Sequence, residues 1–67
     1  MKITLNNNPE TIDSNEITIK ELLTLKNYTF ALLITKVNGQ LVKKEDRSNF
    51  VIRDGDNVAI IHLISGG

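Results

Sequence analysis

The chain closes with Ile64-Ser65-Gly66-Gly67, so its last group is expected to be a Gly-Gly carboxylate. Glycine has no Cβ, and two in a row make the thinnest and most permissive stretch a chain can offer. Such a tail can thread a narrow channel and present its terminal carboxylate to an enzyme. The alternative is a frayed end, as at many termini. Other side chains able to do chemistry are sparse. His62 is the single histidine. It lies in a strand pattern without a nucleophile or a second histidine, and catalytic and metal sites need partner groups. Ser48 and Ser65 lack a base on the same grounds. Asp54 and Asp56 flank Gly55 and read as a turn, because two carboxylates fall short of the roughly 6–8 oxygens of a Ca²⁺ shell. No metal site is expected. The sequence contains no cysteine, which rules out a catalytic thiol, a persulfide on this chain and a disulfide staple. Any sulfur handled here must ride on another group, and the chemistry concentrates on Gly67.

A chain of 67 residues makes one domain. At this size only about 60% of the unfolded surface is buried, so the core is small and must be aliphatic. Lys plus Arg and Asp plus Glu number eight each, for a formal net charge of zero. That balance argues against a nucleic-acid partner held by phosphate contacts and against a polybasic membrane anchor. No apolar run approaches the ~20 residues of a membrane span. Met1-Lys2-Ile3-Thr4-Leu5 enters a strand pattern directly, with no signal-peptide region before it. The expectation is a soluble, cytoplasmic protein that binds neither nucleic acid nor membrane.

The elements that must position the tail follow from periodicity. Ile3 and Leu5 alternate with Lys2, Thr4 and Asn6, as in a half-buried strand. Asn6-Asn7-Asn8-Pro9 is a cluster of turn formers, and Thr11-Ile12-Asp13 can return as a second strand, closing a hairpin over 2–13. Thr18-Ile19-Lys20-Glu21 fits a capping box, with Ile17 and Leu22 at the positions of a hydrophobic staple. Ile19, Leu22 and Leu23 share one face, and Asn27 can end the helix, placed at about 18–26. Ala31 to Val37 reads as a strand. Asn38-Gly39 then signals a two-residue hairpin, with Leu41-Val42 as the return. Lys44 to Asn49 is a polar crossover, and Phe50-Val51-Ile52 packs it down. Asp54-Gly55-Asp56 turns into a last strand, Asn57 to Leu63. Tyr28 and Phe30 read as core plugs, since a nucleic-acid stacking platform would want more aromatics and positive charge. The fold class is α+β: a mixed four- to five-stranded sheet covered on one face by one main helix, in the β-grasp arrangement. The domain spans 1–63, and residues 64–67 form a flexible Gly-Gly tail.

The last strand breaks a rule. A sheet covered by one helix leaves its other face to water, where strands should alternate apolar and polar. Here Val58, Ile60 and His62 fall on one face and Ala59, Ile61 and Leu63 on the other. With the first set toward the helix, the second forms an outward aliphatic patch beside the tail. Such patches mark partner sites. The competing reading is a central strand whose far face is covered by loops.

The sequence resembles the ThiS sulfur carriers of thiamine biosynthesis, a branch of the ubiquitin-like β-grasp group. The resemblance rests on the opening strand, Glu21-Leu22-Leu23, Val37-Asn38-Gly39 followed by Leu41-Val42, Arg53-Asp54-Gly55-Asp56, and Ile64-Ser65-Gly66-Gly67. The opening asparagine turn and Lys43 to Asn49 carry no family signal. The resemblance implies a carrier, not an enzyme. An E1-like enzyme similar to ThiF would use ATP to adenylate the Gly67 carboxylate. Sulfur originating from cysteine, through a desulfurase or related relay, would replace AMP and leave a Gly67 thiocarboxylate. A thiazole synthase similar to ThiG would consume that sulfur. No permanently bound cofactor is implied. Ile64, Ser65 and Gly66 would thread the active site, four extended residues reaching roughly 13 Å, and Ala59, Ile61 and Leu63 would dock the partner. The charged crossover Lys43-Lys44 and Glu45-Asp46 reads as solvated, or as a contributor to E1-like recognition. Rival readings are the small subunit of a molybdopterin synthase, a ubiquitin-like protein modifier, and an interaction module with an incidental Gly-Gly end.

Overall fold

The structure, a computed structural model, describes residues 1–28 and 32–63. Ala31, Phe30 and the tail Ile64 to Gly67 lie outside the described residues.

The first hairpin joins β1 (Lys2–Leu5) to β2 (Asn8–Thr11). Its turn is the two residues Asn6 and Asn7, with φ of 49° and 68°. Positive φ at both central positions suits the right-handed twist of a tight hairpin, and asparagine tolerates it. The return strand therefore begins at Asn8, earlier than the Thr11 expected from the turn-former cluster. Pro9 is accommodated because β2 lies at the edge of the sheet.

A three-residue strand, β3 (Glu16–Thr18), runs into α1 (Ile19–Leu25). Thr18 caps the helix: its Oγ1 accepts from the Glu21 N–H at 3.1 Å, and Glu21 Oε1 accepts from the Thr18 N–H at 2.9 Å. The helix ends as its sequence demands. Asn27 takes φ 59°, its N–H donates to the Thr24 carbonyl at 3.1 Å, and the Tyr28 N–H donates to Leu23 at 2.8 Å. That pair of bonds is a Schellman motif built on asparagine. Ile19 and Leu22 are fully buried. Tyr28 is half-buried against the core, as a plug should be.

The second hairpin joins β4 (Leu33–Val37) to β5 (Gln40–Val42) through Asn38 and Gly39, with φ of 52° and 82°. A single turn of 3₁₀ helix, Lys44–Asp46, opens the crossover. β6 (Val51–Arg53) follows and pairs antiparallel with β3 as a small separate sheet. Residues 16–18 and 51–53 thus form a ladder where the sequence suggested only a helix approach and a packing segment. Three-residue strands are too short to show a period.

β7 (Asn57–His62) completes the fold. The main sheet has five strands in the order β2-β1-β7-β4-β5. β7 is its centre, parallel to β1 and antiparallel to β4. Ile3, Leu5, Val37, Val42, Val58 and Ile60 meet Ile12, Ile19, Leu22 and Ile52 in one aliphatic core on the helix side. The α+β β-grasp architecture is the one expected.

Candidate functional site

The site is built around β7, the strand that leads into the tail. Two asparagines in left-handed turns hold it. At its start, the Asn38 N–H donates to the Asn57 carbonyl at 2.7 Å, and Asn38 Oδ1 accepts from the Asn57 N–H at 2.9 Å. On the other flank β1 ends at Leu5, but the ladder continues through Asn6. Its N–H donates to Val58 at 2.9 Å and its Oδ1 accepts from the Ile60 N–H at 2.8 Å. The side chain stands in for backbone that has already turned away. Sequence reasoning missed both roles, because a turn asparagine shows no sign of a partner 19 or 54 residues away.

Alternation along β7 sends Val58 and Ile60 into the core and turns Ala59, Ile61 and Leu63 outward. Cross-strand register enlarges this outward row. Ile61 lies opposite Ile34, and Ala59 lies opposite Lys36, which in turn lies opposite Leu41. The Leu63 N–H donates to the Leu32 carbonyl at 3.0 Å, so pairing persists to the root of the tail. Directly opposed side chains sit about 4.5–5.5 Å apart at Cβ, close enough to make one surface. Ile61 and Leu63 are each 44% exposed, Leu32 51% and Leu41 57%. Among the described residues, therefore, no loop covers this face. Ile34, Leu32, Leu41 and Lys36 were not legible as members of it, because membership depends on register between strands.

The crossover is anchored on the opposite face. Thr35 is fully buried, and its hydroxyl donates to the Val42 carbonyl at 2.8 Å. Arg47 reaches in from the end of the 3₁₀ turn. Its Nε donates to Thr35 Oγ1 at 3.2 Å and its Nη2 to the Leu33 carbonyl at 2.6 Å. Lys43, Lys44, Glu45 and Asp46 are exposed, as a solvated crossover should be.

The remaining candidates are structural. Asp54 Oδ1 accepts from the Lys2 N–H at 2.7 Å. Asp56 takes the Asn38 amide on Oδ1 at 3.1 Å and the Arg53 N–H on Oδ2 at 2.9 Å. Both carboxylates thus bind the β6–β7 turn to its neighbours. Among the described residues, no group of three or more His, Cys, Asp or Glu is placed to hold a metal ion. His62 is exposed and lies opposite Leu33 in the ladder. Two open grooves flank the helix, of about 520 and 540 Å³, lined by Lys20, Lys44 and Arg47 in one and Ile12, Ile17 and Leu25 in the other. The tail residues Ile64, Ser65, Gly66 and Gly67 lie outside the described residues.

A β-grasp sheet with one open apolar face beside a Gly-Gly end invites comparison with known proteins. The model of the ThiS family matches residues 3–67. The chain belongs to the ThiS family. It is similar, at a TM-score of 0.90 and 28% identity over 100% of both chains, to the crystal structure of the thiamine biosynthesis protein ThiS from Geobacter metallireducens. It is also similar to the solution NMR structure of a thiamine biosynthesis protein from the same organism. There the TM-score is 0.78 and the identity 27%, over 100% of this chain and 88% of the other. No curated protein matches. ThiS membership assigns the chain to the small sulfur carriers of thiamine biosynthesis. No helix among the described residues is long and apolar enough to cross a membrane.

Proposed function

We propose that this ThiS-family chain carries sulfur as a thiocarboxylate on Gly67. An E1-like, ThiF-like enzyme activates the Gly67 carboxylate with ATP, forming an acyl-adenylate and releasing pyrophosphate. AMP is a far better leaving group than an oxide, so sulfur originating from cysteine can replace it at the carbonyl carbon. A ThiG-like thiazole synthase then takes the sulfur and returns the carboxylate. A cysteine desulfurase or sulfur relay acts indirectly, and ATP belongs to the activating partner.

The observation that carries this reading is the uncovered apolar row Ala59, Ile61 and Leu63, running along β7 to the residue before the tail. Docking that row seats the partner where the next four residues can enter its active site. Ile64, Ser65 and Gly66 then act by reach and slimness, since a Cβ would crowd a narrow channel. Thiazole formation, rather than molybdopterin, is favoured by the similarity over 100% of both chains to a thiamine biosynthesis ThiS.

Intact mass spectrometry tests the reading. The chain is incubated with ATP, the activating enzyme and a cysteine desulfurase. The expected result is a mass shift equal to one oxygen replaced by sulfur, mapped to Gly67 and lost when Gly67 is deleted. An unshifted chain with partners of proven activity would overturn it.

A further inference from the structure

The open face has a charge pattern as well as an apolar one. The chain is neutral overall, with eight acidic residues, yet none projects from the strands onto this face. Glu10 lies across from the buried Ile3, on the helix side, and binds Lys26 at 2.7 Å. Glu16 lies in β3 and Glu21 in the helix cap. Asp13 is in the approach to β3, Glu45 and Asp46 are in the 3₁₀ turn, and Asp54 and Asp56 are in the β6–β7 turn. By alternation and register the outward positions of the five strands are Lys2, Thr4, Pro9, Thr11, Ile34, Lys36, Leu41, Asn57, Ala59 and Ile61. Lys2 lies in β1, opposite Thr11 and two residues from Thr4, among polar neighbours. Lys36 sits inside the apolar row, between Leu41 and Ala59 and one step from Ile34. It is exposed, and among the described residues no side-chain carboxylate lies on the outward strand positions of its face.

We infer that Lys36 is the charged specificity determinant of this face, and that the docking partner places a carboxylate against it within an otherwise apolar contact. The inference rests on the carrier reading above, in which the partner is the activating enzyme. An ammonium enclosed by aliphatic side chains loses hydration when a partner covers it, and an unpaired covered charge is costly. A partner must therefore bring an acceptor of opposite sign. A second copy of the chain is the wrong occupant, since the charged side chains that the described strands place on this face are both cations, Lys2 and Lys36. Lys36 lies opposite Ala59, which precedes the tail on β7, so it governs encounter and register rather than the chemical step.

The test measures carrier-dependent ATP–pyrophosphate exchange by the activating enzyme at low and physiological salt, with direct binding of the two proteins beside it. Lys36→Met keeps the aliphatic stem and removes the charge. It is expected to raise KM for the carrier about fivefold to tenfold and to flatten the salt dependence, with kcat unchanged. Lys36→Glu reverses the charge and is expected to raise KM about a hundredfold. Lys36→Arg restores most of the affinity. Melting temperatures of all three should match the parent, since the side chain is exposed. Met and Glu variants both within about twofold of the parent would overturn the inference. So would a parent chain that dimerises through this face at the assay concentration. If the parent chain binds the enzyme but supports no exchange, the carrier reading falls while the binding arm still decides Lys36. If it neither binds nor exchanges, both fall.

Discussion

Single side chains at two turns decide where the functional strand lies. Asn6 holds a positive φ and offers Oδ1 to the Ile60 N–H at 2.8 Å. Asn6→Gly keeps the backbone conformation accessible and removes only the acceptor, so it isolates the bond. The expected cost is about 1–3 kcal/mol, because Ile60 loses the partner of a part-buried donor. Amide exchange should quicken at Ile60 more than at Val58, whose bond comes from the Asn6 backbone. Glu21 offers a second residue-scale test. The hydrogen bond from the Thr18 backbone, then that from its hydroxyl, hold the Glu21 carboxyl below its usual value of 4.5. A pKa lowered by folding means stability that is present above the unfolded value and is lost as pH falls through the folded one. Glu21→Ala should therefore lower the melting temperature at neutral pH, and the difference from the parent should shrink as pH drops below 4.5. The capping box was legible because its partners are three residues apart. The Asn6 bond was not, because its partners meet only through the parallel pairing of β1 with β7.

Elements of this chain were legible in proportion to their local signal. The helix has a cap, staple positions and a Schellman end between Ile17 and Tyr28, and the Asn-Gly hairpin has a turn type only a few dipeptides satisfy. β7 announced both its faces by alternation. β2 was placed too late, because Pro9 reads as a breaker unless the strand is known to be an edge. β3 and β6 stabilise each other only as a pair, so neither shows alone. Arg47 was the costliest omission. It looked like one more charge in a solvated crossover, yet its guanidinium ties that crossover to Thr35 and Leu33 of β4. Arg47→Met keeps the stem and deletes both bonds, leaving a carbonyl of Leu33 without its donor. The expected loss is about 1–3 kcal/mol in urea denaturation. Leu33 faces His62 across the ladder, so the loosening should reach the tail's root. Faster exchange of the Leu63 amide, which donates to Leu32, would show it; an unchanged Leu63 would confine Arg47 to the crossover.

At the scale of the molecule, folding and docking draw on opposite sides of one sheet. A domain of 67 residues has a total stability of about 3–10 kcal/mol at ~0.05–0.15 kcal/mol per residue. That stability comes from the helix side, where Ile19, Leu22, Ile52 and Val58 are fully buried. Leu22→Ala should cost about 2–5 kcal/mol, a large share of the whole. Its denaturation midpoint should fall with the slope unchanged, and the unfolded fraction should become measurable at working temperature. The outward face contributes little to that sum. Ile61 retains 44% of its exposure, so Ile61→Ser should change stability by about 0.5 kcal/mol or less, the usual range for surface positions. Activation should respond in the reverse order. Ile61→Ser removes apolar contact at the centre of the row and should raise KM for the activating enzyme by about tenfold or more, as an interface core residue does. Leu22→Ala, assayed where it remains folded, should be activated normally. The pair forms a crossed test: neighbouring strand positions would separate in the same way, with Ile60 grouping with Leu22 and Ile61 with Leu63. If Ile61→Ser unfolds the chain, or if the folded Leu22→Ala protein fails in activation, the division of the sheet into a stabilising face and a docking face is wrong.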